Sequence, residues 1–91
     1  MNKWAWEEAL LSTMYYLDQG HSIFECITKG PNFGKLKFSD YSPWGCQQSV
    51  LDYHFNRGYA CYKYWRVNDL CFKKYYLLPY GKIVFHWGEE I

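Results

Sequence analysis

The residues in this chain whose types could do chemistry are four cysteines, three histidines and several adjacent charges. A cysteine nucleophile is the strongest enzymatic arrangement among them. Cys46 follows Ser42-Pro43, a helix start with Ser as N-cap and Pro at the first helical position. It is therefore expected in the first turn of a helix, where the dipole lowers a thiol's pKa. Such a thiol also needs a base within hydrogen-bond reach. His54 lies about 12 Å further along the same axis, which leaves only His21 or His86 to be supplied by the fold. The flanking WGCQQS matches no cysteine-protease signature, and a small packed thiol is the expected state.

Metal chemistry has less support. Cys26, Cys46, Cys61 and Cys71 are spaced by 20, 15 and 10 residues. Neither they nor the histidines show the short spacing of structural zinc sites. Glu7-Glu8 and Glu89-Glu90 are adjacent pairs in exposed positions, not acid–base dyads. KGPNFG at residues 29–34 lacks the spacing of a phosphate loop. No catalytic residue, metal or cofactor is expected.

One domain over residues 1–91 must position whatever surface remains. A domain of this size buries only about 60–65% of its unfolded surface. The chain's 21 aromatic rings (5 Trp, 10 Tyr, 6 Phe) cannot all fit inside. Exposed aromatic clusters mark contact surfaces. The net charge of +1 gives the whole chain no electrostatic case for nucleic acid or an anionic membrane. The distribution is uneven: Lys3 and Lys29 against Glu7, Glu8, Asp18 and Glu25 give residues 1–31 a sum of −2. Lys63, Arg66, Lys73, Lys74 and Lys82 against Asp69 give residues 59–82 a sum of +4. No apolar run is long enough to cross a membrane, and Glu7 and Glu8 sit where a signal peptide would be apolar. Free thiols in the cytoplasm are expected.

Local patterns predict the elements. Trp6, Leu10, Met14 and Leu17 repeat at helical period within a helix from Trp4 to Asp18, capped by Asn2 and stopped by Gly20. His21–Thr28 and Lys35–Asp40 form a hairpin. A second helix runs from Ser42 through Arg57 to Gly58, with Trp44, Leu51 and Phe55 on its inner stripe. Asn68-Asp69 is a two-residue hairpin turn, and Pro79-Tyr80-Gly81 a bulged turn into a last strand over 82–87. The expected fold is α+β, in the order α-β-β-α-β-β-β, with an antiparallel sheet packed by two helices.

The Asn68-Asp69 turn sets a register with consequences for function. It pairs Val67 with Leu70, Trp65 with Phe72, Lys63 with Lys74 and Cys61 with Tyr76 on one face, expected to be core near the turn. It pairs Arg66 with Cys71, Tyr64 with Lys73 and Tyr62 with Tyr75 on the other. That second face, with Tyr62, Tyr64, Arg66, Lys73 and Tyr75, is the expected partner-binding surface. Cys61 and Cys71 fall on opposite faces, so they share neither metal nor disulfide. Directly opposed Lys63 and Lys74 are destabilising on an apolar face. Either the register differs, or the ammonium groups leave at an uncovered sheet end, or they hold an anion; the second is preferred.

Tyr, Trp and Arg are the residues enriched in protein-binding hot spots. The expected function is therefore a small non-enzymatic protein that docks this face on a larger protein partner, with self-association using the same face. The alternative is a single-stranded nucleic-acid binder that stacks bases on the same rings. In size, aromatic loading and lack of a catalytic motif the chain resembles, in style, virus- or phage-encoded accessory inhibitors of host machinery.

Overall fold

A computed structural model describes residues 2–87. The first helix, α1 (Lys3–Asp18), starts as its cap demands: Asn2 Oδ1 accepts from the Ala5 N–H at 2.8 Å. Its buried side is Ala9, Thr13, Met14, Tyr16 and Leu17, rotated from the expected stripe so that Trp6 and Leu10 lie at the margin. Two short strands follow, β1 (Ile23–Cys26) and β2 (Leu36–Phe38), paired antiparallel as expected.

The second helix is shorter than the sequence suggests. Ser42-Pro43 does not open it; α2 is Gln48–Asn56, with Gln47 at the N-cap position making no side-chain cap. Residues 43–46 instead form a turn closed by the Cys46 N–H donating to the Pro43 carbonyl at 3.3 Å. Gly45 sits at φ +71, outside helical space, and a Cβ there would stand 2.7 Å from the Ala9 Cβ. The turn is pinned to α1 by the Ser12 hydroxyl, which donates to the Trp44 carbonyl. Helix–turn docking thus outweighs a local start signal. Trp44 and Phe55 are exposed, and the buried stripe is Val50, Leu51 and His54.

Strands β3 (Ala60–Val67) and β4 (Leu70–Leu77) form the hairpin in the predicted register, all the way from Val67–Leu70 to Cys61–Tyr76. Asn68 takes φ +54, the left-handed geometry that a two-residue turn requires. β1 joins β4 on its far side, giving a four-stranded antiparallel sheet in the order β2-β1-β4-β3.

The last element corrects the expectation of a strand over 82–87. Residues Pro79–His86 form helix α3, with Pro79 at its start. The run KIVFHW alternates, but six residues also satisfy a helical turn and a half, and periodicity over so short a span does not decide between them. Packing decides: Gly81 is buried against the Tyr59 carbonyl, Phe85 lies on Tyr15 at 6.2 Å between centroids, and His86 Nε2 meets Asp18 Oδ2 at 3.0 Å. The α+β class with an antiparallel sheet stands, with three helices instead of two.

The core identifies the covered face. Ile23, Ala60, Tyr75 and Leu77 cluster with Met14, Tyr16, Leu17 and Leu51, and Leu36, Phe38, Tyr62 and Phe85 pack around them. Every strand residue in that set lies on one side of the sheet by the observed register. This reverses the facing inferred from sequence for Trp65 and Val67, whereas Phe72 is buried as expected, at 4% exposure, though on the side away from the helices, with Phe24 and Lys37 against its ring. The Tyr62/Tyr75 side is the helix side, and the Trp65/Phe72 side is the one the helices leave open. Period-2 alternation separates two faces, but both carry rings here, so alternation could not say which one the helices would cover.

Candidate functional site

The open face is assembled from all four strands. Lys37 of β2, Phe24 of β1, Phe72, Lys74 and Tyr76 of β4, and Lys63, Trp65 and Val67 of β3 share it. Its cations lie on its rings. Lys74 Nζ is 4.2 Å from the Trp65 centroid and 5.8 Å from that of Phe24, Lys63 Nζ is 5.8 Å from Tyr76, and Lys37 Nζ is 5.9 Å from Phe72. Each contact is worth about 0.5–1 kcal/mol at an exposed site.

These contacts answer where the opposed Lys63 and Lys74 go. Lys63 reaches toward Tyr76 at the base of the hairpin, and Lys74 reaches toward Trp65 near its tip. Each ammonium group thus lies over a different ring. Solvent lies over this face, so the pair costs little.

Toward the tip the face opens into a groove of about 370 Å³, walled by Phe24, Phe38, Trp65, Val67, Leu70 and Phe72, with Lys37 and Asn68 at its polar margin. Trp65 and Val67 are 43% and 48% exposed, a large apolar area for strand side chains. No carboxylate occurs among the strand residues on this face, while α1 and α2 carry Lys3 against Glu7, Glu8, Asp18 and Asp52, a sum of −3. Charge is therefore segregated, with the basic side on the open sheet face and the acidic side on α1 and α2.

The five residues expected to bind a partner do not stay together. Tyr75 is only 2% exposed, and its hydroxyl donates to Glu25 Oε1 at 2.9 Å while Gln48 Nε2 donates to the other carboxylate oxygen at 3.0 Å. Burial, then the Glu25 contact, push the Tyr75 phenol well above its ordinary range. It is a core donor, not a contact residue. Tyr62 is half-buried between Phe55, at 5.3 Å between centroids, and Lys73, whose ammonium is 4.6 Å from its ring. Tyr64 and Arg66 extend past the helices into solvent. The residues that sequence reasoning missed are Phe24, Lys37 and Tyr76, together with Trp65, which was assigned to the core. The alternation of Lys35 and Lys37 with Leu36 and Phe38 was the one visible signal that β2 had a polar outer face.

The groups weighed for catalysis are poorly placed. Cys46 precedes α2 instead of lying in its first turn, and burial raises its pKa, only partly opposed by the neighbouring Thr13 hydroxyl. That is the reverse of an activated thiolate. All four cysteines are free. His21 stacks on Tyr16 at 4.7 Å and faces Asp40 at 3.7 Å, and His86 faces Asp18. Glu89 and Glu90 lie outside the described residues. Among the described residues no three His, Cys, Asp or Glu side chains converge on a metal position, and no helix is long and apolar enough to cross a membrane.

His54 is buried, with Nε2 3.1 Å from the Leu10 carbonyl, and is therefore assigned as a neutral ring donating from that nitrogen. Burial lowers its pKa below the ordinary 6.5, so the unfolded chain takes up the proton more readily. Its share of stability is full above 6.5 and falls as pH drops through that value toward the folded pKa. His54→Gln keeps an N–H for the Leu10 carbonyl but cannot titrate. Urea midpoints from pH 8 to pH 5 should therefore fall less steeply for the variant than for the wild type; parallel profiles would contradict the buried neutral ring.

No protein-family model, curated protein or solved structure matches the chain.

Proposed function

We propose that the chain is a non-catalytic interaction protein whose open sheet face docks on a larger protein partner with an acidic, apolar-centred surface. The groove between Phe24, Trp65, Leu70 and Phe72 carries this reading. A preformed apolar slot is what an anchor side chain of a protein partner fills, and rim cations steer the encounter. Acting by occupancy fits an accessory inhibitor of another machine. The four free thiols fit a reducing compartment such as the cytoplasm.

One observation favours the single-stranded nucleic-acid reading: lysines alternate with rings, so the same side chains could meet phosphates and bases in turn.

The test pairs Trp65→Ala with Lys74→Glu. Both residues lie outside the helix-side core, so the melting temperature should change little. Loss of a hot spot of about 2 kcal/mol weakens binding about thirtyfold. Quantitative capture from the source lysate, then titration with the captured protein, should show that loss; equal affinity removes the face from the interaction. Titration with mixed-sequence oligonucleotides separates the second reading. Micromolar binding that weakens steeply with salt would replace the protein partner by nucleic acid.

A further inference from the structure

The sheet has one long free edge. β2 ends it on one side with three residues, whereas β3 ends it on the other with eight, exposed from Lys63 to Val67. The hydrogen-bond phase of β3 follows from its hairpin. In a two-residue hairpin the closing pair, Val67 and Leu70, exchanges both backbone bonds, and every second pair repeats this. At the base the Leu78 N–H donates to the Tyr59 carbonyl at 2.9 Å, in the same phase. Tyr59, Cys61, Lys63, Trp65 and Val67 therefore bond to β4. Tyr62, Tyr64 and Arg66 turn their N–H and C=O groups outward.

Apart from the Cys61 thiol, which donates to the Tyr62 carbonyl at 3.6 Å, these outward groups take no partner among the described residues, and an edge of this length is a template for another strand. We propose that the β3 edge pairs with the β3 edge of a second copy of the chain, about a two-fold axis through Tyr64. Only outward-facing residues can form hydrogen-bonded pairs, and two antiparallel registers overlap seven residues of this eight-residue strand. One has its axis at Lys63 and opposes that lysine to itself. The other, at Tyr64, sets Tyr64 against Tyr64, Tyr62 against Arg66 of the second copy, Lys63 against Trp65 and Cys61 against Val67. Each cation then faces a ring, and no like charges are opposed. The outward groups at 62, 64 and 66 are symmetric about that axis, which yields about six backbone hydrogen bonds. A net charge of +1 per copy opposes association little.

Such a two-fold is perpendicular to the sheet. It leaves the helices of both copies on one side and joins two four-stranded open faces into one eight-stranded surface. The dimer does not depend on what that surface binds.

Light scattering from low to high micromolar concentration should show the mass rise from 11.0 kDa to twice that value. Tyr64→Pro removes an N–H that points away from β4, so the hairpin ladder survives and far-UV circular dichroism should be unchanged. The variant should stay monomeric at every concentration. Hydrogen exchange on the wild-type chain reads the edge without a substitution. Amides of Tyr62, Tyr64 and Arg66 should be protected at high concentration and exchange freely on dilution. A monomer throughout, a dimer with freely exchanging edge amides, or a dimeric Tyr64→Pro variant would each overturn the proposal. Lys37→Glu, on the opposite edge strand, should leave the dimer intact, so loss of docking and loss of dimer are read separately.

Discussion

Tyr75→Ala is expected to remove about 3–5 kcal/mol of stability, the cost of emptying a large ring from a packed core. A domain whose total stability is about 5–15 kcal/mol is left close to unfolded by such a loss. The ring is 2% exposed at the centre of the cluster that joins Ile23, Tyr16 and Leu51. Its hydroxyl also satisfies one oxygen of Glu25, a carboxylate only 5% exposed. Tyr75→Phe isolates that second contribution, about 1–3 kcal/mol for a buried acceptor left without its donor. Tyr64→Ala is the control: at 70% exposure it should lie within about 0.5 kcal/mol of the wild type. Urea unfolding of the three variants gives the comparison. If Tyr75→Ala is as mild as Tyr64→Ala, the helices do not cover the face assigned to them.

Gly81→Ala should also be strongly destabilising, against the usual gain of about 1 kcal/mol for replacing a helical glycine. An added Cβ would stand 2.1 Å from the Tyr59 carbonyl oxygen and 2.9 Å from Leu77 Cδ1, and Gly81 is buried. The first obstacle is backbone at the base of β3 and cannot rotate away. Overpacking of this kind costs about 1–3 kcal/mol, occasionally more. Here the strain is relieved by lifting α3 from the sheet. The expected result is a lowered melting temperature together with exchange of the α3 amides ahead of the β4 amides. An unchanged or raised melting temperature would mean that α3 does not seat against Tyr59.

These two residues show how sequence and structure divide the argument. The hairpin register places Tyr75 on a face of tyrosines and cations that reads as a binding patch; its phenol is instead the donor for Glu25, fifty residues earlier. Gly81 was read as a turn residue because glycine follows proline and tyrosine there. It is needed for close approach to Tyr59, not for a left-handed φ. In both cases the deciding partner lies on another element, and no local pattern contains it. Trp44 and Phe55 repeat the lesson. Each fits a helical stripe with Leu51, yet the turn held by Ser12 and Gly45 starts α2 later and rotates them outward.

The signals carried in the chain are local. The Asn68-Asp69 turn specified every cross-strand pair of the β3–β4 hairpin, because a two-residue loop admits one register. Asn2 capped α1, Gly58 ended α2, and the order of the first six elements, though not the start of α2, followed from period and punctuation. Which side of that hairpin meets the helices, and whether residues 79–86 form a further strand or the helix α3, depended on packing between distant elements. Strand alternation defines two faces without ranking them when both carry rings. A six-residue apolar run has no period long enough to choose its own conformation. Those choices belong to burial against distant residues, and they placed Trp65 on the uncovered side of the sheet instead of in the core.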